Sequence, residues 1–340
     1  MSPITRASAE RTGRGESALL RRIRRIAGLR REGLNHGVRL GLGDDAALFV
    51  ARREYETILT CDWFLEGTHF LRNKHPADAV GWKCLARAVS DVAAMGGTPR
   101  CFLLSIALPR QQTKHWLDEF LAGLGRASQR FDCALAGGDT ARRSEILIDV
   151  TVLGEVRTGR AVRRAGARPG DLIFVSGRLG EAELGLNSLR RNKAPANKRE
   201  PCLRKHLYPE PRVSLGRWLA EKRLATAMMD LSDGLSTDLA RLCAASRVGA
   251  RIEAARIPKV RQARNRRGEI YDPLLLALNG GDDYELLFAV SRSNARRLLR
   301  SFQGIPLTPI GEITRERTLL LRDGDGRERP LANKGWDPFR

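Results

Sequence analysis

Aspartates recur in this chain where apolar runs meet turns. Asp45, Asp62, Asp139 and Asp230 border strand-like stretches, Asp91 lies on a helical stretch, and Asp233 and Asp282 stand in turns beside glycine. If these acids converge, their charges repel unless divalent cations lie between them. Hard oxygen donors with no Cys/His ligand pattern point to Mg²⁺, the ion that most often accompanies phosphates. The chemistry so indicated is phosphoryl transfer. Neither G-x-x-x-x-G-K-[ST] nor a protein-kinase H-R-D or D-F-G set is present, so the two commonest nucleotide-binding routes are excluded.

Several elements must position these acids. From Val80 to Arg100 the apolar Val80, Cys84, Ala88, Val89, Val92 and Met95 recur at helical spacing, which predicts a helix with Asp91 beside its buried face. Gly96-Gly97 ends it, and a buried strand follows over Cys101–Leu108. Ala47–Val50 and Glu56–Asp62 read as strands, and Trp63–Phe70 as a loop carrying His69, a candidate anion contact. Gln112–Arg130 reads as a helix, and Cys133–Thr140 as a strand whose Gly137-Gly138 permits close approach of a phosphate. Ile146–Val156 is an alternating strand. The composition shifts near Thr158, and a domain boundary is expected there. Beyond it, Leu172–Ser176, Thr226–Asp230, Leu286–Val290 and Ile305–Glu312 read as strands. A helix follows Asp230-Leu231-Ser232-Asp233-Gly234, with Ser232 or Asp233 as expected cap and its free amides facing a phosphate. Gly41–Ala46 imitates a dinucleotide fingerprint, but a strand follows it instead of a helix. Asp323-Gly324-Asp325-Gly326 is a hairpin turn, since the later ligands of a calcium loop are missing.

The 340 residues are enough for two cored domains, and no run of about 18 apolar residues suggests a membrane span. Six scattered cysteines without C-x-x-C spacing argue for reduced thiols and a cytoplasmic setting. The net charge of +21 arises from 60 basic and 39 acidic residues, concentrated in Arg21–Arg31, Arg190–Arg212 and Lys259–Arg267. Apart from Tyr208, no aromatic residues are interleaved for base stacking, so a solvated surface is preferred to nucleic-acid binding. Residues 1–14 read as a loose tail, 16–31 as an opening helix and 190–212 as a basic surface excursion.

Six motifs together carry a resemblance. Gly43-Asp44-Asp45-Ala46, Glu66-Gly67-Thr68-His69-Phe70, Ser90–Gly96, Gly137-Gly138-Asp139-Thr140, Asp230–Gly234 and Gly281-Asp282-Asp283-Tyr284-Glu285-Leu286 resemble, in order, the thiamine-monophosphate kinase family. The resemblance runs from about Gly15 to the C-terminus. It implies kinship with phosphoribosylaminoimidazole synthetase, selenophosphate synthetase and the hydrogenase-maturation carbamoyl dehydratase. The fold implied is α/β (α+β), a two-domain synthetase-like fold. Residues 15–157 would form an N-terminal ATP- and Mg-binding domain whose sheets make an intersubunit β-barrel in a homodimer, and 158–340 a C-terminal α/β domain completing the site.

The reaction implied is ATP plus thiamine monophosphate giving ADP plus thiamine diphosphate, by direct in-line transfer without a phosphoenzyme. Carried over by position, the resemblance implies Mg²⁺ ligands at Asp45, Thr60, Cys61, Asp62, Asp91, Asp139, Asp230 and Asp233. ATP contacts are implied at Gly138, Asp139, Arg164 and Ser232, and thiamine-phosphate contacts at His69, Asp282 and Trp336. Asp91, Asp139 and Arg164 would carry catalysis electrostatically. Cys61 stands where the family usually has Thr, so it would coordinate through its main-chain oxygen, and Asp282 replaces a usual Glu. Two alternatives are weighed: a sister enzyme acting on another acceptor, and a basic nucleic-acid-binding protein. A selenophosphate synthetase would need a reactive Cys ahead of a Gly-rich lysine segment, and the pairing of His69 with a terminal aromatic disfavours aminoimidazole-ribotide synthesis.

Overall fold

The computed structural model describes residues 22–23, 37–41, 46–191, 200–261 and 270–339. The opening helix expected over 16–31 therefore lies almost wholly outside the described residues, as does Asp45. The chain divides into two compact units that it visits in turn. The first takes Met1–Val50, Cys61–Leu85 and Cys101–Thr151, the second Ala51–Thr60, Ala86–Arg100 and Val152–Arg340.

The early elements are β1 (Val38–Leu40), β2 (Leu48–Phe49), β3 (Tyr55–Leu65), α1 (Ala77–Ala94), β4 (Thr98–Leu108), α2 (His115–Phe131), β5 (Ala134–Arg142) and β6 (Leu147–Arg157). One sheet has the order β3-β6-β4-β5, with β4 and β5 parallel. Along β6 the buried Ile148, Val150 and Val152 alternate with half-buried Leu147, Asp149 and Thr151, the period of a strand with one covered face. In the first unit α2 buries Leu117, Phe120, Leu121 and Leu124, spaced three and four apart. Two glycines let its backbone meet α1: a Cβ on Gly81 would lie 2.0 Å from the Phe120 carbonyl, and one on Gly123 would lie 1.9 Å from that of Asp78.

Two expected boundaries move. β3 continues through Leu65, where a loop was expected, because Phe64 keeps the alternation and is buried against Phe70, with ring centroids 5.2 Å apart. The helix expected from Gln112 begins as a 3-10 turn over Arg110–Thr113, and α2 starts only after Lys114 leaves helical geometry at φ −109° and ψ −120°.

The second unit continues with β7 (Leu172–Ser176), α3 (Glu181–Arg191), α4 (Pro201–Leu207), α5 (Val213–Glu221), β8 (Ala225–Leu231), α6 (Leu235–Ser246), β9 (Gly249–Glu253), α7 (Pro273–Asn279) and β10 (Glu285–Val290). A short helix Arg292–Ala295 precedes β11 (Ser301–Phe302), β12 (Ile305–Thr314), β13 (Leu319–Arg322) and β14 (Glu328–Pro330). Its sheet runs β14-β13-β9-β12-β7-β10-β8, antiparallel except at β13–β9. The strands β7, β8 and β10 are buried on both faces. Leu287 and Ala289 join Ile173, Val175 and Met229 under α6 and α7, while Leu286, Phe288 and Val290 join Phe174 and Met228 under α5. The hairpin expected at Asp323–Gly326 is present, joining β13 to β14.

Residues 200–212, the later described part of the basic stretch 190–212, are not the surface excursion the composition suggested. They contain α4, which buries Leu203, His206 and Leu207, and Lys205 and Arg212 turn inward onto Glu285. The charge of these two residues is the counter-charge of a buried acid, while Arg190, Arg191 and Arg204 are exposed.

Candidate functional site

The middle of β3, the last turns of α1 and the end of β8 meet within the second unit. The strand β8 alternates, so Asp230 falls on the face of Met228, where the last turns of α1 also pack through Ala94. There the Ser90 hydroxyl donates to Asp230 Oδ2 at 2.7 Å, and Asp230 is only 4% exposed. One residue on, Asp91 accepts a short hydrogen bond from the Thr60 hydroxyl. Burial raises the Asp91 carboxyl above its ordinary range, and it outweighs the Thr60 hydrogen bond and the positive charges of Arg164 and Arg87. Arg164 itself is set by a loop tied down at Ser246. That hydroxyl donates to the Arg164 carbonyl at 3.0 Å and accepts from the amides of Gly166 and Ala167, each at 3.2 Å.

Beyond Asp230 the chain turns sharply into α6. The cap is neither Ser232 nor Asp233, as expected, but Gly234 at φ +106°, a conformation that suits glycine alone. The amides of Ser232 and Asp233 point inward to Asp238 Oδ2 at 3.1 and 3.0 Å. Burial and then the Asp233 charge push the Asp238 carboxyl up to about 7. Arg241 spans the pair, bonded to Asp233 Oδ2 and to Asp238 Oδ1. Two distant segments close on this turn. The Asp282 amide donates to the Ser232 carbonyl at 2.8 Å, and the Trp336 amide to the Asp233 carbonyl at 2.8 Å. The last segment is pinned further by Thr237 on Asn333 and by Gly335, where a Cβ would lie 2.1 Å from the Asp233 carbonyl. Ser232, Asp233, Asp282 and Trp336, scattered over a hundred residues, therefore share one turn.

In the first unit, Gly138 on β5 has φ +153°, and a Cβ there would lie 1.9 Å from the Leu104 carbonyl of β4. Next to it, Asp139 accepts the Thr140 amide at 2.8 Å. His69 accepts the Leu65 amide on Nδ1 at 3.0 Å, a bond that leaves the ring proton on Nε2 as a donor. The pleat of β3 sends Thr60 and Asp62 to one face and Cys61 to the other, where its thiol donates to Asp149 Oδ1 at 2.9 Å. That bond, helped by burial, raises the Cys61 thiol above its ordinary value.

The structure thus brings together Thr60, Asp91 and Arg164, with Asp230 bonded to the adjacent Ser90, and gathers Ser232, Asp233, Asp282 and Trp336 at another place within the second unit. Asp62, His69, Gly138 and Asp139 stand in the first unit, while Asp45 lies outside the described residues. Among the described residues no three His, Cys, Asp or Glu side chains already form a metal cage. Sequence reasoning missed Asp238, Arg241 and Ser246. Asp238 and Arg241 share a helical face at i, i+3, a signal open to reading; Ser246 offered none.

The family description AIR synthase related protein, N-terminal domain, matches residues 43–156, and the C-terminal domain of the same family matches 168–323. Thiamine-monophosphate kinase of Escherichia coli is 38% identical over 306 residues, covering 89% of this chain and 92% of the relative. That of Synechococcus elongatus is 35% identical over 303 residues, covering 87% and 91%. Among solved structures, thiamine-monophosphate kinase from Stenotrophomonas maltophilia superposes with a TM-score of 0.77 at 35% identity, covering 93% of this chain and 97% of that one. AaThiL complexed with AMPPCP and TMP gives 0.75 at 32% identity, covering 85% and 89%.

Proposed function

The chain belongs to the AIR synthase related family and, within it, to the thiamine-monophosphate kinases, and from that membership we propose that it transfers the γ-phosphoryl group of ATP directly to thiamine monophosphate. A terminal phosphate oxygen of thiamine monophosphate attacks the γ-phosphorus, the bond to the β–γ bridging oxygen breaks, and ADP leaves. No phosphoenzyme forms and no general base is required, since the nucleophile is already an oxyanion. The observation that carries this reading is the meeting of Thr60, Asp91 and Arg164, with Asp230 held by the adjacent Ser90.

The donor set fits Mg²⁺. Asp230 is a buried and Asp91 a half-buried carboxylate, each bonded to a hydroxyl, and desolvation leaves the Asp91 carboxyl high despite Arg164 and Arg87. A hard divalent cation would favour its ionised form. Asp45, Thr60, Asp62, Asp91, Asp139, Asp230 and Asp233 would hold the ions, with Cys61 contributing its main-chain oxygen because its side chain faces Asp149. When bound, Mg²⁺ offsets the charge of two facing phosphates.

The chain's own residues do the rest. Arg164, held by Ser246, offsets developing charge on the transferred group. Gly138 lets the backbone approach ATP, and Asp139 and Ser232 contact it. His69 donates from Nε2 to the substrate phosphate. Asp282 faces the cationic rings and Trp336 stacks on them.

The uncovered face of the β3-β6-β4-β5 sheet, with Leu59 67% and Trp63 56% exposed, supports a homodimer closed through these sheets. The boundary near Thr158 would separate this N-terminal part from the C-terminal one. Nucleic acid is disfavoured as a partner because the basic stretches, Tyr208 apart, carry no aromatic residues on which bases could stack. No helix of the described residues is long and apolar enough to cross a membrane, which agrees with a cytoplasmic enzyme. Incubation with ATP, Mg²⁺ and thiamine monophosphate, followed by chromatography, should yield thiamine diphosphate. Phosphorylation of another acceptor in its place would assign the chain to a sister activity.

A further inference from the structure

The loop between α7 and β10 carries two side-chain-bearing residues in the left-handed region, Asp282 at φ +66° and Tyr284 at φ +49°. Such conformations are costly away from glycine and persist only where the surroundings over-determine them, a condition met mostly at working sites. Here they are over-determined. The Asp282 amide is bonded to the Ser232 carbonyl, and the Tyr284 amide to that of Leu231 at 2.9 Å. Between them the buried Asp283 carboxylate accepts from the amides of Gly180 and Ala182 at 2.6 and 3.2 Å. Glu285 follows, locked to Ser176 and Arg212. The loop cannot relax at either end.

This strained backbone fixes the surroundings of one carboxylate. Tyr284 Oη donates to Asp282 Oδ1 at 2.7 Å, and His206 Nδ1 lies 3.7 Å from Asp282 Oδ2. The second distance suits an ion pair with a protonated ring and is too long for a hydrogen bond. Tyr284 and His206 are 2% and 1% exposed, whereas the Asp282 side chain is 24% exposed. One side of the carboxylate thus rests on two buried groups, and the remainder reaches solvent beside the turn where Trp336 is anchored.

We propose that Tyr284 and His206 are positioning residues that hold the Asp282 carboxylate as a fixed anion for the cationic rings of thiamine monophosphate. This rests on the reading of Asp282 as a substrate contact given above. A carboxylate held in one orientation meets a ring cation without first losing rotamer freedom, so the effect falls on substrate affinity and not on the transfer step. Tyr284 removes the freedom about the Asp282 side chain, and the His206 ring bounds the carboxylate from the buried side.

The test is steady-state kinetics on full-length Tyr284→Phe, His206→Gln and Asp282→Asn, with melting curves for each. Tyr284→Phe should raise KM for thiamine monophosphate about 3- to 10-fold, the cost of re-ordering one freed side chain on binding. Its kcat, KM for ATP and melting midpoint should stay near the parent's. His206→Gln should move the same constant in the same direction. Tyr284→Phe added to Asp282→Asn should have no further effect, because the group it positions has lost its charge. If Asp282→Asn raises this KM while Tyr284→Phe and His206→Gln leave it unchanged, the positioning role is overturned and the substrate contact stands. A fall in kcat, both KM values and stability together would also overturn it, marking a structural role. If Asp282→Asn itself leaves KM unchanged, the reading of Asp282 as a substrate contact fails.

Discussion

Glu285, fully buried, and Asp91, half-buried, are carboxylates of the same unit, and their surroundings treat them in opposite ways. Around Glu285 the protein supplies its own cations: Lys205 Nζ at 3.1 Å, Arg212 Nη2 at 2.6 Å and the Ser176 hydroxyl at 2.6 Å. Burial alone would raise this carboxyl, but Lys205 and Arg212 bring it down to about 2. Around Asp91 the strongest compensation is a neutral hydroxyl, and burial wins. An acid neutralised by its own chain serves the fold, whereas one left under-compensated suits a cationic ligand that arrives later.

Two substitutions should separate these roles most sharply. Asp91→Asn is expected to lower kcat by about 10³-fold, as loss of a central electrostatic contact does, with the melting midpoint unchanged or slightly raised. Equal turnover in both proteins would end the argument for Asp91. Glu285→Gln should do the reverse. It leaves Lys205 and Arg212 without their main partner in a dry setting, a loss of about 3–5 kcal/mol. In calorimetry that corresponds to a midpoint lower by roughly 10 °C. A Glu285→Gln protein as stable as the parent would show that the buried pair adds nothing net.

Acid titration sharpens the same contrast. The folded Glu285 carboxyl lies at about 2 against an ordinary 4.5, so its contribution is full above pH 4.5 and is lost as pH falls toward 2. The linked stability is about 3 kcal/mol. Denaturant melts of the parent should therefore lose stability across this window, and Glu285→Gln should lose less by about that amount. Parallel curves would remove Glu285 from the account of acid unfolding.

Much of this was open to reading in the amino-acid order. Asp230 followed by Ser232, Asp233 and Gly234 marks a strand, a turn and a helix start, because the period changes from two to three or four at a glycine. A related argument found β7, whose apolar Leu172–Val175 follows a turn and is too short for a buried helix. The Glu285 network escaped because its members lie 73 and 80 residues apart. A basic run looks identical whether its side chains face water or a buried acid, and only the tertiary pairing decides. The cap of α6 misled for a related reason. Ser232 and Asp233 are good capping residues by type, but Asp238, one turn into the helix, takes both their amides.

Arg241 offers the smallest and most discriminating effect. Its guanidinium holds Asp233 Oδ2, on a carboxylate that the proposed function gives to a metal ion. The pair is partly exposed, Arg241 by 42% and Asp233 by 21%, so its net worth to the fold is about 0–1 kcal/mol. Arg241→Gln should hence leave the melting midpoint within a degree or two. The same change removes a competitor for Asp233 while Asp238 still fixes the turn through the two amides. Mg²⁺ should then bind more tightly, by about 2- to 5-fold, from removal of a screened surface charge. Calorimetric titration with Mg²⁺ and a non-hydrolysable ATP analogue reads this directly. Weaker binding would mean that Arg241 holds Asp233 in place for the ion instead of competing with it.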